Sequence, residues 1–372
     1  MINLDYASYT PVDDAVLEEF CRFERVADAS SFSTHDRGLI TLEVFNRAKK
    51  GFADFLRVSP DDVMFNSGTT EGNNYVIKGI AKMYGHKGRH ILTTPFEHPS
   101  VSGVLSYLKE DGFEIEILKV DTHGQIDLSH LKSALRSDTI LLCVAKVESE
   151  LGIIQDTDAI GDILDDFPSC FFHVDAAQAM CKVSVNMHKN MTSFCFSPRK
   201  FYGLSGFGIL VKRSNVAIEP LIHGGGDINR GGTPSIGMIH AALKAMELSY
   251  MDLSSRLKHV YNAFFYIYGE LKDVVHINTP LENTSRHIIN MSVKGMRGVD
   301  MQNELNKRGI AVSVKSACST DNTPSKAVYA LTKNKQLAMS SFRVSLSHLT
   351  TRAEVDVFIR AVKEIVNERG NK

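Results

Sequence analysis

Between residues 12 and 212 the hydrophobic positions switch repeatedly between two rhythms: short runs rich in β-branched and aromatic residues, and longer stretches with apolar residues every three or four positions. The short runs predict strands at 62–66, 90–94, 114–118, 139–144, 170–174, 192–196 and 207–211. The longer ones predict helices at 42–56, 70–84, 99–111 and 157–166. Strand and helix in alternation imply an α/β fold with a mostly parallel seven-stranded sheet between helices. Such a sheet gathers its ligands at the carboxyl ends of its strands. After Gly224, Gly225 and Gly226 the rhythm turns helical from about 236 to 271, then strand-like at 288–293, with helices near 299–308 and 351–367. The expected organisation is a large domain over 12–257 and a smaller α+β domain over 258–372, with residues 1–11 packed nearby.

Composition narrows the function. The 372 residues are 43% hydrophobic and 23% charged, enough to bury a sizeable core and incompatible with a disordered or fibrous chain. Lys plus Arg number 42 against 43 Asp plus Glu, so no basic excess exists to grip a phosphate backbone, and direct nucleic-acid binding is not expected. Apolar runs such as 139–145 fall far short of the roughly 20 residues of a membrane span, and the residues after Met1 lack the charged and apolar regions of an export signal. The expectation is a cytoplasmic protein. Of six cysteines, Cys143, Cys170, Cys181 and Cys195 lie in or beside apolar runs and read as buried thiols; no CxxC pair suggests a metal. Cys318, in Ser316-Ala317-Cys318-Ser319-Thr320, has the small polar neighbours of an exposed loop.

Three clusters could carry chemistry. Asn66-Ser67-Gly68-Thr69-Thr70 follows a predicted strand and opens a predicted helix, which leaves backbone N–H groups available to an anion. Alone, it is equally an ordinary helix cap. It is not a Walker sequence, since no Gly-Lys-Ser/Thr follows. Phe172-His173-Val174-Asp175 is an apolar strand ending in a carboxylate, which calls for a cationic partner, whether a protonated heterocyclic nitrogen or a structural arginine. Ser193 to Phe196 runs into Ser197-Pro198-Arg199-Lys200, and a lysine in a partly apolar pocket loses basicity and becomes able to form a Schiff base. An anion cradle, a strand-end acid and a strand-end lysine, about 105 and 25 residues apart, are together the parts a pyridoxal phosphate site requires.

The sequence resembles the cysteine desulfurases, fold type I pyridoxal phosphate enzymes of the class V aminotransferase-like group. The resemblance is carried in order by residues 4–7 (LDYA), 67–74 (SGTTEGNN), 97–101 (EHPSV), 151–156 (LGIIQD), 173–178 (HVDAAQ), the Lys200 segment, 230–233 (RGGT), 316–319 (SACS) and 342–346 (FRVSL). It implies that Lys200 carries the cofactor aldehyde, Asp175 pairs with the ring nitrogen, Gln178 bonds the ring hydroxyl, and His98 stacks on the ring and moves protons. It further implies that Thr69, Thr70 and Ser197 hold the phosphate, that Thr233 reaches the phosphate of a neighbouring subunit in a homodimer, and that Arg343 clamps the carboxylate of L-cysteine. Cys318 is implied to be the nucleophile that takes the sulfur as a persulfide and passes it to an acceptor protein, as in iron-sulfur cluster assembly, with Lys315 favouring the thiolate.

Several positions depart from the family pattern. Glu148-Ser149 replaces two asparagines, which leaves Ser149 to remake contacts to ring hydroxyl and substrate. Arg199 replaces a histidine, with Pro198 for a glycine, and can still serve the phosphate. The glycine segment is about two residues short, and the chain ends at Lys372 without the longer tail through which housekeeping members engage a scaffold. A related lyase or aminotransferase of the same fold, such as a selenocysteine lyase, and a degenerate paralogue serving as a sulfur-assembly scaffold stay open at this point.

Overall fold

A computed structural model describes residues 1–225, 229–315 and 323–370. Seven strands build the central sheet: β1 (Val63–Asn66), β2 (His90–Thr93), β3 (Glu114–Ile117), β4 (Thr139–Ala145), β5 (Phe171–Asp175), β6 (Ser193–Phe196) and β7 (Gly208–Lys212). Their spatial order is β1-β7-β6-β5-β4-β2-β3. Only β7 runs against its neighbours β1 and β6; the other pairings are parallel, as strand–helix alternation requires. Strands β4, β6 and β7 are buried along their whole length, which is why they read as unbroken apolar runs.

The apolar residues of the sheet separate into two layers. Leu142, Val144, Phe172, Val174, Phe194 and Phe196 pack with Phe52, Ile239 and Met246 on one side. Ile91, Leu141, Cys143, Cys195 and Leu210 pack with Val76, Ile77 and Ile80 of helix Thr69–Tyr84 on the other. Alternation of side chains along each strand produces this split. A further core gathers Leu4, Phe264, Met291, Phe342 and Phe358 around a three-stranded antiparallel sheet of His276–Ile277, Ile288–Ser292 and Ser341–Ser345. The N-terminus reaches this core directly, since Ile2–Asn3 pairs in parallel with Ile310–Ala311.

The helical rhythm over 236–271 is two helices, Ile236–Met251 and Leu253–Leu271, broken at Asp252, whose φ of −115° and ψ of 19° leave the helical region. The apolar period continues across the break, so periodicity alone does not reveal it. The two halves serve different cores, Ile239 and Met246 the first and Val260 and Phe264 the other. Among the described residues no helix is long and apolar enough to cross a membrane.

Candidate functional site

A cavity of about 230 Å³ opens where the carboxyl ends of β1, β2, β4, β5 and β6 meet, the place this topology reserves for ligands. Its lining brings together Thr69, Thr70, His98, Ser149, Asp175, Gln178, Ser197, Arg199 and Lys200, nine of the twelve site residues read from sequence.

The anion cradle forms because Gly68, at φ +149°, turns the chain from β1 into helix Thr69–Tyr84. That φ is open to glycine and strained for other residues. Asn66 supports the turn by accepting from the Gly68 N–H at 2.9 Å, and Gly208 on β7 lies so close that a Cβ there would meet Gly68 Cα at 2.5 Å. No side chain caps the first turn of the helix. Beside it the Thr69 hydroxyl oxygen is buried without a hydrogen-bond partner. A buried hydroxyl left unpaired costs about 1–3 kcal/mol, so the cradle is made for an acceptor it does not itself supply. Glu71 stiffens the turn from below, taking the Ser67 N–H at 2.9 Å and Arg230 Nε at 2.6 Å. Burial raises its pKa, but the Arg230 and Ser67 bonds outweigh that and leave its carboxyl below the usual range. The Ser197 hydroxyl donates to the Phe207 carbonyl at 2.7 Å.

Asp175 ends β5 almost fully buried, fixed by two donors: Asn73 Nδ2 on one oxygen and the Ala177 N–H on the other, both at 2.9 Å. Behind it runs a buried relay. Asn73 Oδ1 meets His173 Nε2 at 2.8 Å, His173 Nδ1 meets the Ser193 hydroxyl at 2.8 Å, and Asn73 also donates to Ser100. Burial holds His173 down to about 4, so its ring is neutral and serves as scaffolding. Asn73 and His173 were not singled out from sequence. The available signal was period: His173 shares a strand face with Asp175, and Asn73 lies one turn beyond Thr69 on the helix face that meets the sheet.

Lys200 follows β6 in a short 3₁₀ turn over Pro198–Lys200 and donates from Nζ to the carbonyls of Ala7 and Ser8, at 2.8 Å each. Burial, with Arg199, Lys182 and Arg343 adding to it against Asp5, lowers its pKa to about 7. His98 caps helix Pro99–Glu110, its Nδ1 accepting from the Ser100 N–H at 3.1 Å, which leaves the ring proton at Nε2. Burial lowers its pKa as well, Asp175 opposing and Lys200 and Arg199 assisting. Glu148, the departure from the family's asparagine, is turned away from the cavity: its carboxylate accepts from the N–H groups of Glu150 and Leu151, and burial beside Glu150 raises it to about 8.

Two of the sequence-read residues, Arg343 and Thr233, do not line this cavity. Arg343 is buried on strand Ser341–Ser345, donating to Asp5 at 2.9 Å, to the Ser8 hydroxyl at 2.7 Å and to the Ser149 carbonyl at 2.8 Å. Its Nε has no partner. Thr233 is exposed in an adjoining groove of about 300 Å³ that shares Ser67 and Gly206 with the cavity. Cys318 lies outside the described residues. The two described residues that flank its segment, Lys315 and Thr323, line a small cavity of about 90 Å³ together with His98 and Ser149.

Comparison with known proteins agrees with this geometry. The aminotransferase class-V family matches residues 2–358. The chain is 33% identical to the cysteine desulfurase IscS of Photorhabdus laumondii over 98% of its own length and 92% of that protein's, and 33% identical to IscS of Mannheimia succiniciproducens over 99% and 93%. Among solved structures it is similar to a NifS-like protein, with 32% identity, a TM-score of 0.92 and 98% and 99% of the two chains covered. It is also similar to SspA, solved in complex with cysteine, at 26% identity and a TM-score of 0.82, over 94% of this chain and all of that one.

Proposed function

This chain belongs to the class-V aminotransferase family and is a pyridoxal phosphate-dependent cysteine desulfurase; we propose that it moves the sulfur of L-cysteine onto Cys318 and releases L-alanine, with the following division of labour. The observation that carries the reading is the convergence on one cavity of an unpartnered buried hydroxyl at a helix start, a doubly anchored carboxylate and a lysine of lowered basicity.

Thr69, Thr70, Ser197, Arg199 and the first turn of helix Thr69–Tyr84 hold the cofactor phosphate. With pyridoxal phosphate in place, Asp175 would keep the ring nitrogen protonated, Lys200 would hold the aldehyde, Gln178 would serve the ring hydroxyl and His98 would serve the ring, all four lining this cavity. When bound, pyridoxal phosphate supplies the electron sink that loosens bonds at the substrate's α-carbon. Lys200 Nζ and His98 Nε2 hold and return protons there. Arg343 takes the substrate carboxylate in exchange for Asp5, and its unpartnered Nε offers a second donor for a bidentate grip. Cys318 lies three residues along the chain from Lys315, which lines the small cavity beside His98. Its thiolate attacks the substrate sulfur: an S–S bond forms, the C–S bond breaks with its electron pair left on carbon, carbon takes a proton, and a persulfide stays on the enzyme for a sulfur-acceptor protein.

The reading predicts equimolar L-alanine and sulfide from L-cysteine in the presence of a reductant. Sulfide without alanine, or neither, would count against it.

The lowered basicity of Lys200 gives a pH expectation. An amine captures an aldehyde only when neutral, so capture of pyridoxal phosphate by the apoprotein should accelerate with pH to a midpoint near 7; a midpoint near 10 would show a solvated lysine. By linkage, the unfolded chain binds the extra proton between that value and 10.5, so this group opposes folding at neutral pH and ceases to do so as pH rises through that window.

A homodimer is part of the proposal. Phe32, Leu39, Ile40 and Leu42 are exposed together at helix Asp36–Leu56, and Phe32 and Leu42 line the same groove as Thr233. An apolar patch beside the cofactor cavity suits a second copy, whose Thr233 would complete the phosphate site. Sedimentation at micromolar concentration should give twice the chain mass; a monomer with full cofactor occupancy would remove Thr233 from the site.

A further inference from the structure

Gln178 is held at both ends of its amide. Its Nε2 donates to the Ala7 carbonyl at 2.8 Å, and its Oε1 accepts from the Lys182 ammonium at 3.0 Å. A carbonyl can only accept and an ammonium can only donate, so these partners fix which end of the amide is nitrogen. One N–H of Gln178 remains, on a side chain that lines the cofactor cavity. Lys182 stands behind it, in a second, smaller cavity that it shares with Lys200, Tyr202, Arg256 and His287.

We propose that Lys182 is a positioning residue for the cofactor: its charged hydrogen bond holds and polarises Gln178, so that a strengthened N–H donor meets the ring hydroxyl oxygen while its positive charge bears on Lys200. The proposal rests on the reading that Gln178 faces that hydroxyl. A bond from an ammonium draws electron density toward Oε1 and makes the amide N–H a better donor, since linked hydrogen bonds polarise one another at low dielectric. A better donor stabilises the deprotonated ring oxygen. The charge acts in the same direction, lowering the proton affinity of the nitrogen at Lys200, and Lys182 is among the groups that depress Lys200.

The charged and titratable groups around this pair leave Lys182 able to act. Burial brings it down to about 8, Cys181 opposing and Arg343 assisting, so it stays mostly protonated at neutral pH. Burial and Lys182 itself keep His287 neutral, at about 3; burial keeps the Cys181 thiol up at about 12; and His348 is held neutral by burial and Arg256. Arg199, Arg343 and Asp5 complete the charges facing Lys200.

The test is a pH titration of the cofactor's absorbance in the holoenzyme. Lys182→Met should raise its midpoint by about one unit, a tenfold change in the acid constant, and Lys182→Arg, which keeps donor and charge, should restore it. A midpoint in Lys182→Met equal to wild type, even with a lowered melting temperature, would overturn the proposal and leave Lys182 a structural role. If Lys182→Met does not fold, Lys182→Gln serves: it keeps a donor without the charge, and an upward shift smaller than one unit is expected, while no shift overturns. Gln178→Leu separates the two layers of the argument. A shift there without one in the Lys182 variants refutes the inference alone, whereas no shift in either removes Gln178 from the ring hydroxyl.

Discussion

Lys200→Ala should remain folded and lose essentially all turnover, by about 10⁴-fold or more, the scale on which removing a covalent catalytic residue acts in other enzymes. The structural argument is local. Among the described residues the Lys200 ammonium donates to the Ala7 and Ser8 carbonyls, at the edge of a cavity from which water can replace it. Its removal also relieves the crowding of Lys182, Arg199 and Arg343 around one site, so melting temperature should hold or rise slightly. What is lost is the one amine that burial and neighbouring cations bring down to about 7 inside this cavity. Borohydride reduction of wild-type holoenzyme followed by peptide mapping should place the cofactor on Lys200. A label on Lys182, which shares the smaller cavity behind it, or on Lys146 would contradict the assignment.

The large sheet was legible because most of its strands are buried on both faces and appear as apolar runs, while the edge strand Glu114–Ile117 shows itself by alternating Glu and Ile; each of the seven predicted segments overlaps an observed strand, with every end within one residue. The site was legible for a related reason: a polar residue closing an apolar run, as Asp175 does, stands out against its neighbours. Helix Asp14–Val26 went unread although Val16, Phe20 and Phe23 recur at helical spacing; only Val16 is fully buried, and Phe20 and Phe23 pack against the core only in part. The break at Asp252 was hidden by an apolar period that crosses it. Asn73 and His173 were passed over because their contacts are long-range: no local pattern records that Asn73 touches Asp175 and His173 or that Asp5 meets Arg343.

Cys318→Ser should separate sulfur transfer from every other chemistry this fold supports. Lys200, Asp175, Gln178 and Arg343 are untouched by the change, so the variant should bind pyridoxal phosphate and respond spectrally to L-cysteine as wild type does. Alanine and sulfide formation should nevertheless fall by about 10³-fold or more, because a serine hydroxyl stays protonated at neutral pH and is a poor nucleophile toward sulfur. The other cysteines cannot substitute. Burial pushes the Cys170 and Cys181 thiols up to about 12 and those of Cys143 and Cys195 well above their ordinary value, and all four are enclosed in the apolar layers of the sheet. Cys21 is exposed on helix Asp14–Val26 but lines neither the cofactor cavity nor the small cavity beside His98. Undiminished alanine production by the serine variant would favour a lyase in which the Cys318 thiol is incidental.

The most direct measurement mixes wild-type holoenzyme with L-cysteine in the absence of reductant, quenches it, and weighs each cysteine-containing peptide. The peptide with Cys318 should gain the mass of one sulfur atom, in step with the first equivalent of L-alanine released, while those with Cys21, Cys143, Cys170, Cys181 and Cys195 stay unchanged. Alanine released with no sulfur on Cys318, or sulfur carried by another cysteine, would contradict the account.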